Sequence, residues 1–134
     1  MVIDTSALAC IILGEVEAEL YARALATQSD NAISAVNWLE SMMVVNSRRG
    51  EAGQNELGQL LILARAEIVP VNARIVRLAF DAWLRFGKGR HTASLNFGDC
   101  FSYALAKLRG EPLLFKGDDF SKTDLDSVAI FCET

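Results

Sequence analysis

Apolar positions along the chain fall into short runs and helical stripes that alternate. Val2-Ile3 is a two-residue apolar run closed by Asp4, and its residue types suit a buried strand. Residues 7–13 stay apolar up to Gly14 and read as a helix that Thr5-Ser6 can cap. Residues 15–28 form an amphipathic helix with Val16, Leu20, Ala24 and Leu25 inward. Residues 31–34 read as a second strand, and Ser34 can cap a helix over 35–49 that Gly50 ends. A further helix over 51–66 has Leu57, Leu60, Leu61 and Ala64 as its stripe. A short strand over 67–70 follows, and Asn72 caps a helix that runs to Phe86.

The segment after Phe86 departs from that rhythm. Gly87-Lys88-Gly89-Arg90-His91 is a basic, flexible loop. Asn96 then caps a helix whose apolar face is Phe97, Phe101, Leu105 and Leu108, with Cys100, Ala104 and Leu108 beside it. Gly110 stops that helix, residues 112–115 read as a strand, and Lys116-Gly117-Asp118-Asp119-Phe120 as a turn. Residues 128–132 read as a last strand. Strands alternating with helices point to an α/β fold with a mostly parallel sheet. No repeat or linker interrupts it, so the expectation is a single domain over residues 1–134.

Composition narrows the class. Just over half of the 134 residues are hydrophobic, which suits a packed globular core and excludes a disordered chain. No apolar run is long enough to span a membrane, and no cationic leader with a cleavage site is evident. Cys10, Cys100 and Cys132 are odd in number and far apart, which fits reduced thiols in a cytoplasmic protein. A net charge of −4 argues against a general nucleic-acid coat. It leaves room for a nucleic-acid enzyme whose acids gather around a metal.

Four acidic positions stand out by context. Asp4 and the pair Asp118-Asp119 each follow a predicted strand, Asp99 lies in the first turn of a helix, and Glu40 sits among Val36, Leu39, Met43 and Val44. No basic residue is placed to pair with Glu40 at helical spacing. Strand ends and helix starts on one side of a parallel sheet converge. Carboxylates brought together raise each other's pKa or bind a hard cation such as Mg²⁺ or Mn²⁺, a setting suited to phosphoryl chemistry. The plainer alternatives are helix capping by Asp4 and Asp99, a solvated Glu40, and ordinary turn residues at 118 and 119. Asp124 and Asp126 read as solvated, and Asp81 and Glu51 as helix-surface acids. Arg85, Lys88, Arg90, His91 and Lys116 flank these acids in sequence and suit a phosphate backbone.

Rival chemistries find less support. One histidine and no ligand spacing among the cysteines argue against a zinc site. A Cys100–His91 nucleophilic pair would need a thiol that here lies beside an apolar seam. No phosphate-binding glycine loop is present.

Laid out in order, these segments closely resemble the PIN-domain family, and within it the VapC toxins of type II toxin–antitoxin modules. The segments are Val2-Ile3-Asp4-Thr5-Ser6-Ala7, Ser34-Ala35-Val36-Asn37-Trp38-Leu39-Glu40, His91 with Leu95-Asn96-Phe97-Gly98-Asp99-Cys100, and Leu114-Phe115-Lys116-Gly117-Asp118-Asp119-Phe120. The resemblance implies a three-layer fold and an endoribonuclease using Mg²⁺ or Mn²⁺ on RNA, often tRNA or rRNA. It also implies a cognate VapB-type antitoxin and a homodimer that buries one apolar helix stripe. The family's acids match Asp4, Glu40 and Asp99, and the fourth falls on Asp118 or Asp119, with Asp118 preferred. Thr5 or Ser6 matches the family's hydroxyl beside the first acid. The alternatives are a non-catalytic PIN-like binding module and a PIN nuclease acting on other nucleic acid.

Overall fold

The computed structural model describes residues 1–126. Its elements are β1 (Val2–Ile3), α1 (Thr5–Ile12), α2 (Ala18–Ala26), β2 (Asn31–Ser34), α3 (Ala35–Leu63), β3 (Ala66–Val69), α4 (Ala73–Phe86), α5 (Phe97–Arg109) and β4 (Leu113–Leu114). A 3₁₀ turn over Phe120–Lys122 follows β4. The strands form one parallel sheet in the order β3-β2-β1-β4. Val2 pairs with Ala32 and Leu113, so the short Val-Ile run is the inner rail between two longer-range partners.

Strand alternation sorts the core into two layers. Val2, Ala32 and Leu113 point to the side covered by α4 and α5, where Ile75, Ala79, Phe101 and Leu105 pack. Ile3, Ile33 and Leu114 point to the other side, against Leu8, Leu25, Val45 and Leu57 of α1, α2 and α3. The result is a mixed α/β fold with helices on both faces of a parallel sheet. Buried Asn31 fastens the start of β2 by donating from Nδ2 to the Ala64 carbonyl at 2.8 Å.

Element ends follow local chemistry, with several differences from the sequence reading. Asn72 and Asn96 cap α4 and α5 through their side chains, and Gly110 closes α5 in the left-handed region. Gly50 ends the first helical stretch as expected: at φ 59° and ψ −146° it is non-helical, so α3 is two helices that meet at a kink. α1 is capped by Asp4 rather than by Thr5 or Ser6, because the Asp4 carboxylate accepts the Ser6 N–H. Val16 is 98% exposed rather than inward, because it lies in the turn before α2 and not on a helix face. Phe97 opens α5 but stands 76% exposed, while Phe101 and Leu105, deeper in the same stripe, are buried. The strand expected at 128–132 lies outside the described residues. Among the described residues no helix is long and apolar enough to cross a membrane.

Candidate active site

Parallel strands deliver their carboxyl ends to one edge, and the acids of interest collect there. Asp4 directly follows β1 and is 2% exposed. A carboxylate so buried needs donors, and it has three. Ser6 donates to Oδ2 from its N–H at 3.0 Å and from Oγ at 2.5 Å, and Ser102 on α5 donates to Oδ1 at 2.5 Å. The Ser6 oxygen in turn accepts the Lys116 N–H at 3.0 Å, which ties the segment after β4 to the same carboxylate.

Asp99 enters from the first turn of α5 in a capping box. Asn96 Oδ1 accepts the Asp99 N–H at 2.9 Å, and Asp99 Oδ2 accepts the Asn96 N–H at 3.0 Å. Burial pushes its carboxyl up to about 7. The Asn96 N–H works against that shift, and the negative charges of Asp4, Asp119 and Glu40 add to it. Glu40 reaches this place from α3 because residue 98 has no side chain: a Cβ on Gly98 would lie 2.7 Å from Glu40 Cδ. Asn37, one turn earlier on α3, donates from Nδ2 to the Gly98 carbonyl at 3.0 Å and locks the two helices together.

Asp118 and Asp119 are both exposed in the turn after β4. The Asp118 carbonyl accepts the Ser121 hydroxyl at 2.6 Å, and Phe120 anchors the turn by burial against Phe115, with ring centroids 5.1 Å apart. The negative charge of Asp119 is among those that raise Asp99. Thus Asp4, Glu40, Asp99 and Asp119, far apart in sequence, form one electrostatic group. No Lys, Arg or His side chain pairs with any of them within 4.0 Å among the described residues.

An all-carboxylate donor set without a balancing cation suits a hard divalent ion. Direct ligands of an octahedral Mg²⁺ stand no more than about 4.2 Å apart, twice a ligand distance of about 2.1 Å. The group with ligand atoms all within 4.8 Å of one another is a different one, Cys10, Glu15 and Glu17. Among the described residues no three of Asp4, Glu40, Asp99 and Asp119 bring ligand atoms within 4.8 Å of one another. The tighter cluster already holds a cation, because Lys116 Nζ bridges Glu15 and Glu17, the latter at 3.2 Å. Burial and then Glu15 raise the Cys10 thiol, further reducing its value as a ligand.

Several flanking residues have partners that the sequence hides. Lys116 is committed to Glu15 and Glu17 rather than open to a phosphate backbone. Asp124, expected to be solvated, accepts the Tyr103 hydroxyl at 2.6 Å and pairs with Lys107 at 2.8 Å and Arg85 at 3.5 Å. His91 Nδ1 accepts the Ala93 N–H at 2.9 Å. The Cys100 thiol is buried and pushed up to about 11, so it lacks the thiolate a nucleophile needs. Ser102 was not singled out from the sequence. Its one signal is a hydroxyl three residues after Asp99 in an otherwise apolar stretch.

Beside the acids an apolar groove of about 500 Å³ runs between α4 and the start of α5, lined by Val76, Phe80, Trp83, Phe97 and Phe101 with Lys88 at its edge. Arg90 stacks over Trp83 at 4.4 Å.

Comparison with known proteins agrees with this architecture. The sequence pattern of the PIN domain family matches residues 1–125. Ribonuclease VapC of Mycolicibacterium smegmatis is 49% identical over 128 residues, covering 96% of this chain and 99% of that protein. Ribonuclease VapC30 of Mycobacterium tuberculosis is 45% identical over 130 residues, covering 97% and 99%. Among solved structures, Mycobacterium tuberculosis VapC20, described as a sarcin-ricin loop cleaving toxin, superposes with a TM-score of 0.79 at 19% identity over 95% of this chain and 97% of that one. A toxin–antitoxin complex from Klebsiella pneumoniae gives 0.70 at 21% identity, over 97% of each chain.

Proposed function

This chain belongs to the PIN-domain family, in its VapC ribonuclease branch, and from that premise we propose that it is the endoribonuclease toxin of a type II toxin–antitoxin module. In this reading a single PIN domain over residues 1–134 hydrolyses RNA phosphodiester bonds in the cytoplasm with Mg²⁺ or Mn²⁺. The substrate is tRNA or rRNA, and a VapB-type antitoxin holds the enzyme inactive. What supports the metal-dependent reading is the convergence of Asp4, Glu40, Asp99 and Asp119 with no counter-charge among them. Asp4 and Asp99 would be the main ligands, with Glu40 and one of Asp118 and Asp119 completing the set directly or through water. When bound, the ion supplies Lewis-acid stabilisation of the phosphate and an activated water.

The chain's own residues do the rest. The capping box holds Asp99 in one rotamer, and Ser6 and Ser102 hold Asp4. Lys122 Nζ reaches the Thr92 carbonyl at 3.5 Å, which brings a third cation to the loop that carries Lys88 and Arg90. None of these three is engaged by a carboxylate among the described residues, so they are available to an RNA backbone.

The test is digestion of tRNA, rRNA and DNA by the purified chain, with Mn²⁺ and then with excess chelator. RNA is cleaved with the metal and spared with the chelator. Equal cutting of DNA would move the reading to another nucleic acid. No cutting and no Mn²⁺ binding would leave a binding module.

We also propose a homodimer through the groove face, where Val76, Phe80, Trp83 and Phe97 are 48%, 58%, 38% and 76% exposed. Four large apolar side chains on one face are more than a monomer usually leaves to water. Sedimentation is expected to give a dimer for the parent and a monomer for Phe80→Glu. A parent that stays monomeric rules this face out.

A further inference from the structure

Ser102 is a fully buried hydroxyl on the helix that carries Asp99, and it is bonded to an acid 98 residues away. A helical serine ordinarily returns its hydroxyl to the carbonyl four residues back, which here is that of Gly98. That carbonyl is already taken. The helical repeat gives one lone pair to the Ser102 N–H, and Asn37 Nδ2 takes the other at 3.0 Å. The Ser102 hydroxyl therefore goes to Asp4 Oδ1, at 2.5 Å.

The two oxygens of Asp4 are left unequal. Oδ2 accepts both the N–H and the hydroxyl of Ser6, which fills its two lone-pair positions. Among the described residues Oδ1 accepts only Ser102, which leaves one position open. The Ser6 hydroxyl proton is fixed in direction because its oxygen already receives the Lys116 N–H. A carboxylate pinned at both oxygens, from α1 and from α5, cannot turn about its last bond.

We infer that Ser102 is a positioning residue: it orients Asp4 Oδ1 toward the acid cluster and fixes the distance between the end of β1 and the helix of Asp99. This rests on the metal-nuclease reading above, and it adds a residue outside the acidic set and outside the Thr5-Ser6 pair. Partners that orient a ligating group are worth roughly 10- to 100-fold in metal affinity when removed. Ser102→Ala deletes the hydroxyl from a helix position that tolerates alanine well.

The experiment is Mn²⁺ binding by calorimetry on metal-free protein, with thermal melting in parallel, for the parent, Ser102→Ala and Ser102→Cys. Cysteine fills the space of serine but is a weak donor, so it separates packing from orientation. Both variants are expected to bind Mn²⁺ at least about 10-fold more weakly, with cleavage recovering as Mn²⁺ is raised. A Ser102→Ala protein that melts like the parent and binds Mn²⁺ like the parent overturns the inference. If Ser102→Ala does not fold, Ser102→Cys decides alone, and parental affinity there overturns it equally. A parent that binds no Mn²⁺ at all defeats the metal reading itself, and the inference falls with it.

Discussion

Asp99→Asn is expected to give a folded protein that no longer cleaves RNA and that, without metal at about pH 8, melts higher than its parent. The loss of activity follows from removing a ligand charge from the metal site. Metal stabilisation of the transition state is worth several kcal/mol, which is roughly 10³-fold or more in rate. The fold survives because an asparagine oxygen can still accept the Asn96 N–H in the capping box. The gain in stability comes from the wild-type carboxylate being in the wrong place for a charge. Its pKa is raised from 3.8 to about 7, first by burial and then by like charges. Taken at face value that is about 4 kcal/mol. Allowing for water at a partly open group brings it to about half. The opposing loss of a charge at a helix start is smaller, about 0.3–1 kcal/mol.

The pH dependence has a definite sign. A folded pKa above the unfolded one means that the native state holds the extra proton between about 3.8 and 7. Stability therefore falls as pH rises through that window, and the penalty is complete above about 7. The advantage of Asp99→Asn should be largest at about pH 8 and shrink toward about pH 5, where wild-type Asp99 is already neutral when folded. Saturating Mn²⁺ should reverse the order, because ligand at about 100 times its dissociation constant stabilises only the parent, by about 2.7 kcal/mol. Melting curves at two pH values, with and without Mn²⁺, check all of this. An Asp99→Asn protein that cleaves RNA at the parental rate removes Asp99 from the site.

The elements were legible where short-range chemistry decides them. Asn72, Asn96 and Gly110 mark their helix ends as their side chains and backbone preferences require. Gly50 announces a break, and the chain breaks there, because its positive φ is one that glycine adopts without strain. Acids that follow strands or open helices were legible as a group, since a parallel sheet sends its strand ends to one edge. What stayed hidden depends on distant partners. Lys116 looks like a free cation until Glu15 and Glu17 are folded against it. Asp124 looks solvated until Tyr103, Lys107 and Arg85 converge on it. Asp118 and Asp119 differ by one position in a turn, and the charge of Asp119 bears on Asp99 only once that turn is folded against the sheet edge. Ser102 reads as a neutral helix residue because its partner lies at the other end of the chain.

Gly98→Ala should lower cleavage by about 10²-fold while leaving the melting temperature unchanged or slightly higher. A Cβ at this position would sit 2.7 Å from Glu40 Oε1 and Cδ, well inside contact distance. Something must move, and the cheapest motion is of the carboxylate, the far end of a flexible side chain with no ion-pair partner to hold it. The backbone has no reason to resist, because alanine in a helix is favoured over glycine by up to about 1 kcal/mol. Structure is preserved while one acid is swung out of the cluster, and a misplacement of about 1 Å can cost about 10²-fold in rate. The effect must travel through Glu40, so a double-mutant cycle isolates it. In a Glu40→Ala background, where the carboxylate is already gone, Gly98→Ala should cost nothing more. The same fractional loss in both backgrounds would mean that alanine acts through the backbone of α5 and not through Glu40.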